Sequence, residues 1–201
     1  LQHWGVSDET QVIAYDAHGG MFAARLWWLL RSIGHANIAV LDGGLALWQA
    51  EGQALSTIEP SSAPGDISFK SPLVRSVDAH NVMAHLADTK RTIIDARAPD
   101  RFRGENETID PVGGHIPCAK NRFFKDNLQA DGRFKTGHDL RVEFDKLISN
   151  PQTAVMQCGS GVTACHNLLA LEIAGLHGAS LYPGSWSEWC ADKTRPVATG
   201  A

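Results

Sequence analysis

Apolar residues along the chain fall into two alternating patterns. Short unbroken runs, rich in β-branched residues, read as buried strands at 12–16, 38–41, 92–96, 154–157 and 179–182. Longer stretches with helical spacing lie between them. Their predicted spans are 21–33 before Gly34, 45–50 before Gly52, 77–86 behind a Ser76 cap, and a helix capped by Asp139 that runs to Ile148. Two more are predicted at 163–174 before Gly175 and at 185–191. The helix from Thr163 carries Ala164, Leu168, Leu169, Leu171 and Ile173 and is apolar nearly all round, as a helix buried against a sheet would be. Strands alternating with helices predict an α/β fold around a mostly parallel sheet. Residues 99–112 read as a polar loop. Residues 53–76 are rich in Ser and Pro, including Pro60 and Ser61, and read as a linker with one short strand at 67–69.

The two ends of the chain repeat one order of features. Val12-Ile13-Ala14-Tyr15-Asp16 and Val155-Met156-Gln157-Cys158 each lead into a glycine-bearing turn and an apolar helix. One helix later come Leu41-Asp42-Gly43-Gly44 with Trp48, and Leu181-Tyr182-Pro183-Gly184 with Trp186 and Trp189. The copies are unequal: the second has a cysteine at the strand end where the first has Asp16, so only the second is equipped for thiol chemistry. The first is also short, and its early strands are expected in sequence outside these 201 residues.

Composition narrows the function classes. With 43% apolar and 20% charged residues the chain can bury a real core and is no disordered tail. A net charge of −4 is not the footprint of a nucleic-acid or anionic-membrane binder, and there is no apolar run of about 18 residues that could span a bilayer. The opening Leu1-Gln2-His3-Trp4-Gly5 matches neither a signal nor a transit peptide; without an initiating Met, a processed product or a fragment is expected. Cysteines at 118, 158, 165 and 190 form no C-x-x-C pair, which argues against a zinc site or a disulfide scaffold. Reduced thiols in a cytoplasmic protein are expected.

Cys158 stands out among the four. It ends a strand, precedes Gly159-Ser160-Gly161 and leads into a helix N-terminus. The carboxyl end of a parallel strand, a nest of backbone N–H groups and the positive end of a helix all favour a thiolate over a thiol there. Neither a cofactor nor a metal is needed. A cysteine phosphatase would carry an arginine six residues on, where this chain has Ala164. A cysteine protease would need a histidine base, and His166 lies one turn into the helix, pointing sideways. Cys165 reads as core, and Cys118 and Cys190 as structural.

Four stretches, in order, resemble the rhodanese superfamily. Cys158-Gly159-Ser160-Gly161-Val162-Thr163-Ala164 is similar to its active loop in the form found in 3-mercaptopyruvate sulfurtransferases. Asp95-Ala96-Arg97 with Arg101-Phe102-Arg103-Gly104, Gly114-His115-Ile116-Pro117 with Asn121, and residues 182–189 resemble the other family signatures. The resemblance implies a rhodanese-like α/β fold with a parallel five-stranded sheet flanked by helices, in two tandem copies with the first truncated. The implied domains are a partial inactive copy at 1–58, a linker at 59–76 and a catalytic domain at 77–201. It also implies that Cys158 takes sulfane sulfur from thiosulfate or 3-mercaptopyruvate as a persulfide and passes it to cyanide or a thiol, with a thioredoxin-like reductant as a further partner. Arg101 is then the residue at the donor's anionic end, and Gly159, Ser160, Gly161, Val162 and Thr163 form the substrate-binding loop. Arg97 and Asp95 are expected to be structural. The loop before Gly114-His115 lacks a second arginine, and Cys118 stands where the family has glycine. A non-catalytic persulfide carrier or redox sensor is the alternative function.

Overall fold

The computed structural model describes residues 1–58 and 62–200, so Pro60 and Ser61 of the expected linker lie outside the described residues. Near the N-terminus β1 (Val12–Ala14) and β2 (Ile38–Val40) pair in parallel, joined by α1 (Met21–Ser32) and followed by α2 (Gly44–Ala50). A five-stranded parallel sheet follows. Its strands are β3 (Arg75–Ser76), β4 (Thr92–Asp95), β5 (Lys120–Asn121), β6 (Ala154–Gln157) and β7 (Ser180–Leu181), in the order β3-β7-β6-β4-β5. Five helices flank or connect them: α3 (Ala79–Ala84), α4 (Pro99–Arg103), α5 (Gly137–Phe144), α6 (Thr163–Ile173) and α7 (Ser185–Ala191).

Central β6 is buried along its whole length because both sheet faces are covered. Register places Ile94 beside Met156 and Met156 beside Leu181, and these three join the core that includes α1, α5 and α6 residues. On the other face Ile93, Val155 and Tyr182 pack with Val82, Trp186 and Trp189. Helix α6 is buried from Ala164 to Leu171, with α1 against it. That placement explains its lack of a polar face: α1 covers what would otherwise be its solvent side. Residues 62–74 run back along the N-terminal half, where Gly65, Ile67, Lys70 and Leu73 donate backbone N–H groups to Gln2, Val6, Ile33 and Arg31.

Several predicted elements move. No strand forms at 67–69; Ser68 instead donates its N–H and hydroxyl to Asp8. Arg75–Ser76 is an edge strand, so the next helix begins two residues later than predicted and is capped by Asp78, which accepts from Asn81 N at 2.7 Å. Thr136, not Asp139, caps α5, and that helix ends at Phe144 rather than Ile148. The predicted loop at 99–112 contains α4, which has Pro99 in its first turn and closes on left-handed Gly104. Cys118 adopts φ +65°, the left-handed region that favours glycine. No described helix is long and apolar enough to cross a membrane.

Candidate active site

Strand β6 delivers Cys158 to the carboxyl edge of the sheet, where its backbone is held on both sides. Its N–H donates to Ser185 Oγ at 3.0 Å, and that hydroxyl donates to Tyr182 O at 2.9 Å. The carbonyls of Cys158 and Gly159 accept from Trp186 and Ser187, each at 2.9 Å. Gly161 turns the chain with φ +73°; a Cβ there would lie 2.5 Å from Pro183 O. Among the described residues, the N–H groups from Gly159 through Thr163 have no hydrogen-bond partner. This run of free donors leads straight into the N-terminus of α6, the arrangement that binds anionic atoms.

The loop opens on a cavity of about 370 Å³, lined by Cys158, Gly159, Ser160, Val162 and Thr163. Arg97, Arg101, Asp110 and Ser187 supply its polar wall, and Met21 and Phe22 close it from the N-terminal half. Cys158 is 2% exposed and lines this cavity. Gly161 does not line it; its carbonyl points elsewhere and accepts from Arg25 Nη1 at 3.3 Å and from Cys165 Sγ at 3.2 Å.

Arg101, on the last turn of α4, brings its guanidinium within 3.9 Å of where a Gly159 Cβ would stand. Its Nε and Nη2 donate to the two oxygens of Glu107 at 3.1 and 2.7 Å, and Nη2 also reaches Asp110 at 3.3 Å. Burial alone would raise the Glu107 carboxyl, but donation from Arg101 and from the Ile109 and Asp110 amides outweighs it and holds the group below its ordinary value. Asp110 also accepts from Ser187 Oγ at 2.6 Å. Arg97 is structural: its Nη2 donates to Asp95 at 2.7 Å and to Gly114 O at 2.6 Å, and its guanidinium stacks over Trp186.

The other thiols and the nearby imidazole lie apart from this chemistry. Burial pushes the Cys165 thiol up to about 12. Cys190 is buried and its thiol is raised by burial, whereas Cys118 is exposed, away from the cavity. His166 donates through Nε2 to Gly19 O at 3.0 Å, which leaves Nδ1 to accept from Asn127 Nδ2 at 3.1 Å. Burial lowers its pKa to about 4, so it is a neutral brace and does not face Cys158.

The strand-end loop of the N-terminal half has a similar layout with different contents. Asp16 Oδ1 accepts from the N–H groups of His18 and Gly20, and Oδ2 from those of Phe22 and Ala23, at 2.7–2.9 Å. Burial would raise this carboxyl, yet the four amides together hold it below its ordinary value. Glu107, Asp110, Ser185, Arg25 and the Asp16 cradle were not identified from sequence. The one usable signal was spacing: Asp16 stands five residues before α1, as Cys158 stands five before α6. Among the described residues no group of three or more His, Cys, Asp or Glu side chains is placed to hold a metal ion.

The rhodanese-like domain family matches residues 1–51 and 78–192. A protein named probable 3-mercaptopyruvate sulfurtransferase, from Pseudomonas aeruginosa, is 49% identical over 203 aligned positions that cover all of this chain and 72% of the relative. The solved 3-mercaptopyruvate sulfurtransferase SseA of Escherichia coli is 31% identical with a TM-score of 0.79, over 92% of this chain and 70% of that one. An anaerobic ergothioneine biosynthesis enzyme from Chlorobium limicola shares the fold with a TM-score of 0.86 at 22% identity, and the chain spans 54% of its length.

Proposed function

This chain belongs to the rhodanese family of sulfurtransferases, and on that footing we propose that Cys158 carries sulfane sulfur as a persulfide between a small anionic donor and a nucleophilic acceptor. The observation that carries the reading is the row of unpartnered amides from Gly159 to Thr163 around a cysteine at the floor of a cavity. The Cys158 thiolate attacks the outer sulfur of the donor and an S–S bond forms. With thiosulfate the donor's own S–S bond breaks and sulfite leaves with the electron pair. With 3-mercaptopyruvate the C–S bond breaks, and the pyruvate enolate takes up the proton that the donor thiol loses. Either route leaves Cys158–S–S⁻, whose terminal charge the loop amides stabilise. Cyanide then takes the outer sulfur as thiocyanate and regenerates the thiolate. A thiol takes it as a perthiol, and a thioredoxin-like dithiol releases it as hydrogen sulfide while closing to a disulfide.

Arg101 faces the donor's anionic end, and Gly159, Ser160, Val162 and Thr163 surround the reacting sulfur. Gly161 supports them from behind by setting the turn. Residues 77–201 are read as the catalytic domain, 1–58 as a partial inactive copy in tandem with it, and 59–76 as the linker. The four free cysteines fit a reducing, cytoplasmic setting. The test is to load the protein with thiosulfate or 3-mercaptopyruvate and follow both intact mass and thiocyanate formation with cyanide. A 32 Da gain mapped to Cys158, with turnover, is the expected result (about one sulfur atom per chain, as for any thiol converted to a persulfide). A stable gain without turnover makes the chain a carrier, and no gain overturns the reading.

A further inference from the structure

We propose that Glu107 and Asp110 select the charge of the sulfur donor, so that the site takes a singly charged thiol donor such as an α-keto acid in preference to a dianion such as thiosulfate. The inference rests on the sulfur-transfer reading and deepens it. An arginine recognises an anion best with its two-pronged Nε/Nη2 or Nη1/Nη2 edge. In Arg101 the Nε/Nη2 edge is occupied by Glu107, and Nη2 is shared further with Asp110. Both Nη1 and Nη2 lie 3.9 Å from where a Gly159 Cβ would stand, but among the described residues only Nη1 has no partner and remains for a ligand.

The two carboxylates are fixed. Their side chains are 4% and 7% exposed, against 20% for Arg101. Glu107 is further held by the amides of Ile109 and Asp110, and Asp110 by Ser187 Oγ. A donor therefore cannot swing them aside without stranding buried charges. The remaining cation of the wall, Arg97, is consumed by Asp95. In this cluster two guanidinium groups face three carboxylates, a formal excess of one negative charge.

The positive elements left for a donor are the two N–H groups on Arg101 Nη1 and the loop amides. These suffice for one negative charge beside the transferred sulfur. A second negative charge meets Asp110 in the cavity wall, with Glu107 paired to the same guanidinium, and repulsion from such buried carboxylates is screened less than in water.

The experiment compares kcat/KM for 3-mercaptopyruvate and thiosulfate, with cyanide as acceptor, in the parent protein, Asp110→Asn and Glu107→Gln. The expected parent preference for 3-mercaptopyruvate is at least about tenfold, and each substitution is expected to shrink that ratio at least about fivefold by improving thiosulfate use. Taking the ratio within one protein removes the effect of any unfolded fraction. A measurement that needs no variant accompanies it: raising ionic strength in the parent is expected to improve kcat/KM for thiosulfate relative to 3-mercaptopyruvate. A parent preference for thiosulfate, a ratio unmoved by both substitutions, or a salt dependence of opposite sign overturns the inference and leaves the sulfur-transfer reading standing. Failure of both donors to load Cys158 overturns both.

Discussion

The loop after β1 and the loop after β6 share two backbone landmarks and have opposite contents. In each, the third residue past the strand-end side chain is a left-handed glycine, Gly19 at φ +74° and Gly161 at φ +73°. In each, that strand-end residue's carbonyl accepts an amide from the start of a later helix, Leu45 in one and Trp186 in the other. Asp16 reaches into its own nest and takes four of its N–H groups, whereas Cys158 has no oxygen to offer and its nest stays open. A side chain with two acceptor oxygens turns an anion site into a structural cap; a side chain ending in one sulfur leaves it for a ligand. What separates the filled cradle from the open one here is the side chain at the strand end, together with Gly20 at φ +86° where the second loop has Val162 at φ −84°.

The largest expected effect tests the reactive side of that comparison. Cys158→Ser is expected to abolish sulfur loading and cut turnover by about 1000-fold or more, read by intact mass and thiocyanate formation; loading that persists moves the site to another thiol. Next comes acid. His166 is held neutral with a pKa near 4, against about 6.5 when unfolded, so its contribution is complete above pH 6.5 and is lost as pH falls toward 4. Urea unfolding at pH 7 and pH 4 is expected to differ by about 3 kcal/mol from this group; equal stabilities would show that His166 is not held neutral by burial.

Asp16→Ala probes the filled cradle. Leaving four amides without their acceptor is expected to cost about 1–3 kcal/mol while changing turnover less than about twofold. Because the folded Asp16 carboxyl sits below its ordinary value, the gap between parent and variant is present above pH 4 and closes as pH falls further. The smallest effect is expected from Arg25→Met, which keeps the aliphatic stem and removes the bond to Gly161 O. A loss of about 1 kcal/mol in stability and a few-fold slower alkylation of Cys158 are expected. An unchanged alkylation rate would show that the open loop holds its shape without help from the other half.

Elements with long periodic patterns were legible in the sequence: α1, α6, β6 and α7 begin or end within a residue or two of where the apolar spacing puts them. Cys158 was singled out because a cysteine between a β-branched run and a glycine turn has few other uses, and the structure places it in the wall of the cavity. Helix α4 was not, since five residues carrying two arginines and an aspartate hold no periodic signal, and only Pro99 and Gly104 mark its ends. The Glu107 and Asp110 grip on Arg101 was also beyond reach. Acidic residues in a polar loop look alike until the loop folds back and decides which of them meets a cation. Arg25 and Gly161 are 136 positions apart, and no local pattern announces such a pair.

That last pair has a mirror. Arg25, on α1, holds the carbonyl of Gly161, and His166, on α6, holds the carbonyl of Gly19. Each helix thus steadies the bend that begins its neighbour, like two people each gripping the other's wrist. The amino-terminal half is in this way tied to the loop that carries Cys158. Loosening either grip slackens both bends, so damage in one half is expected to reach the cysteine loop carried by the other.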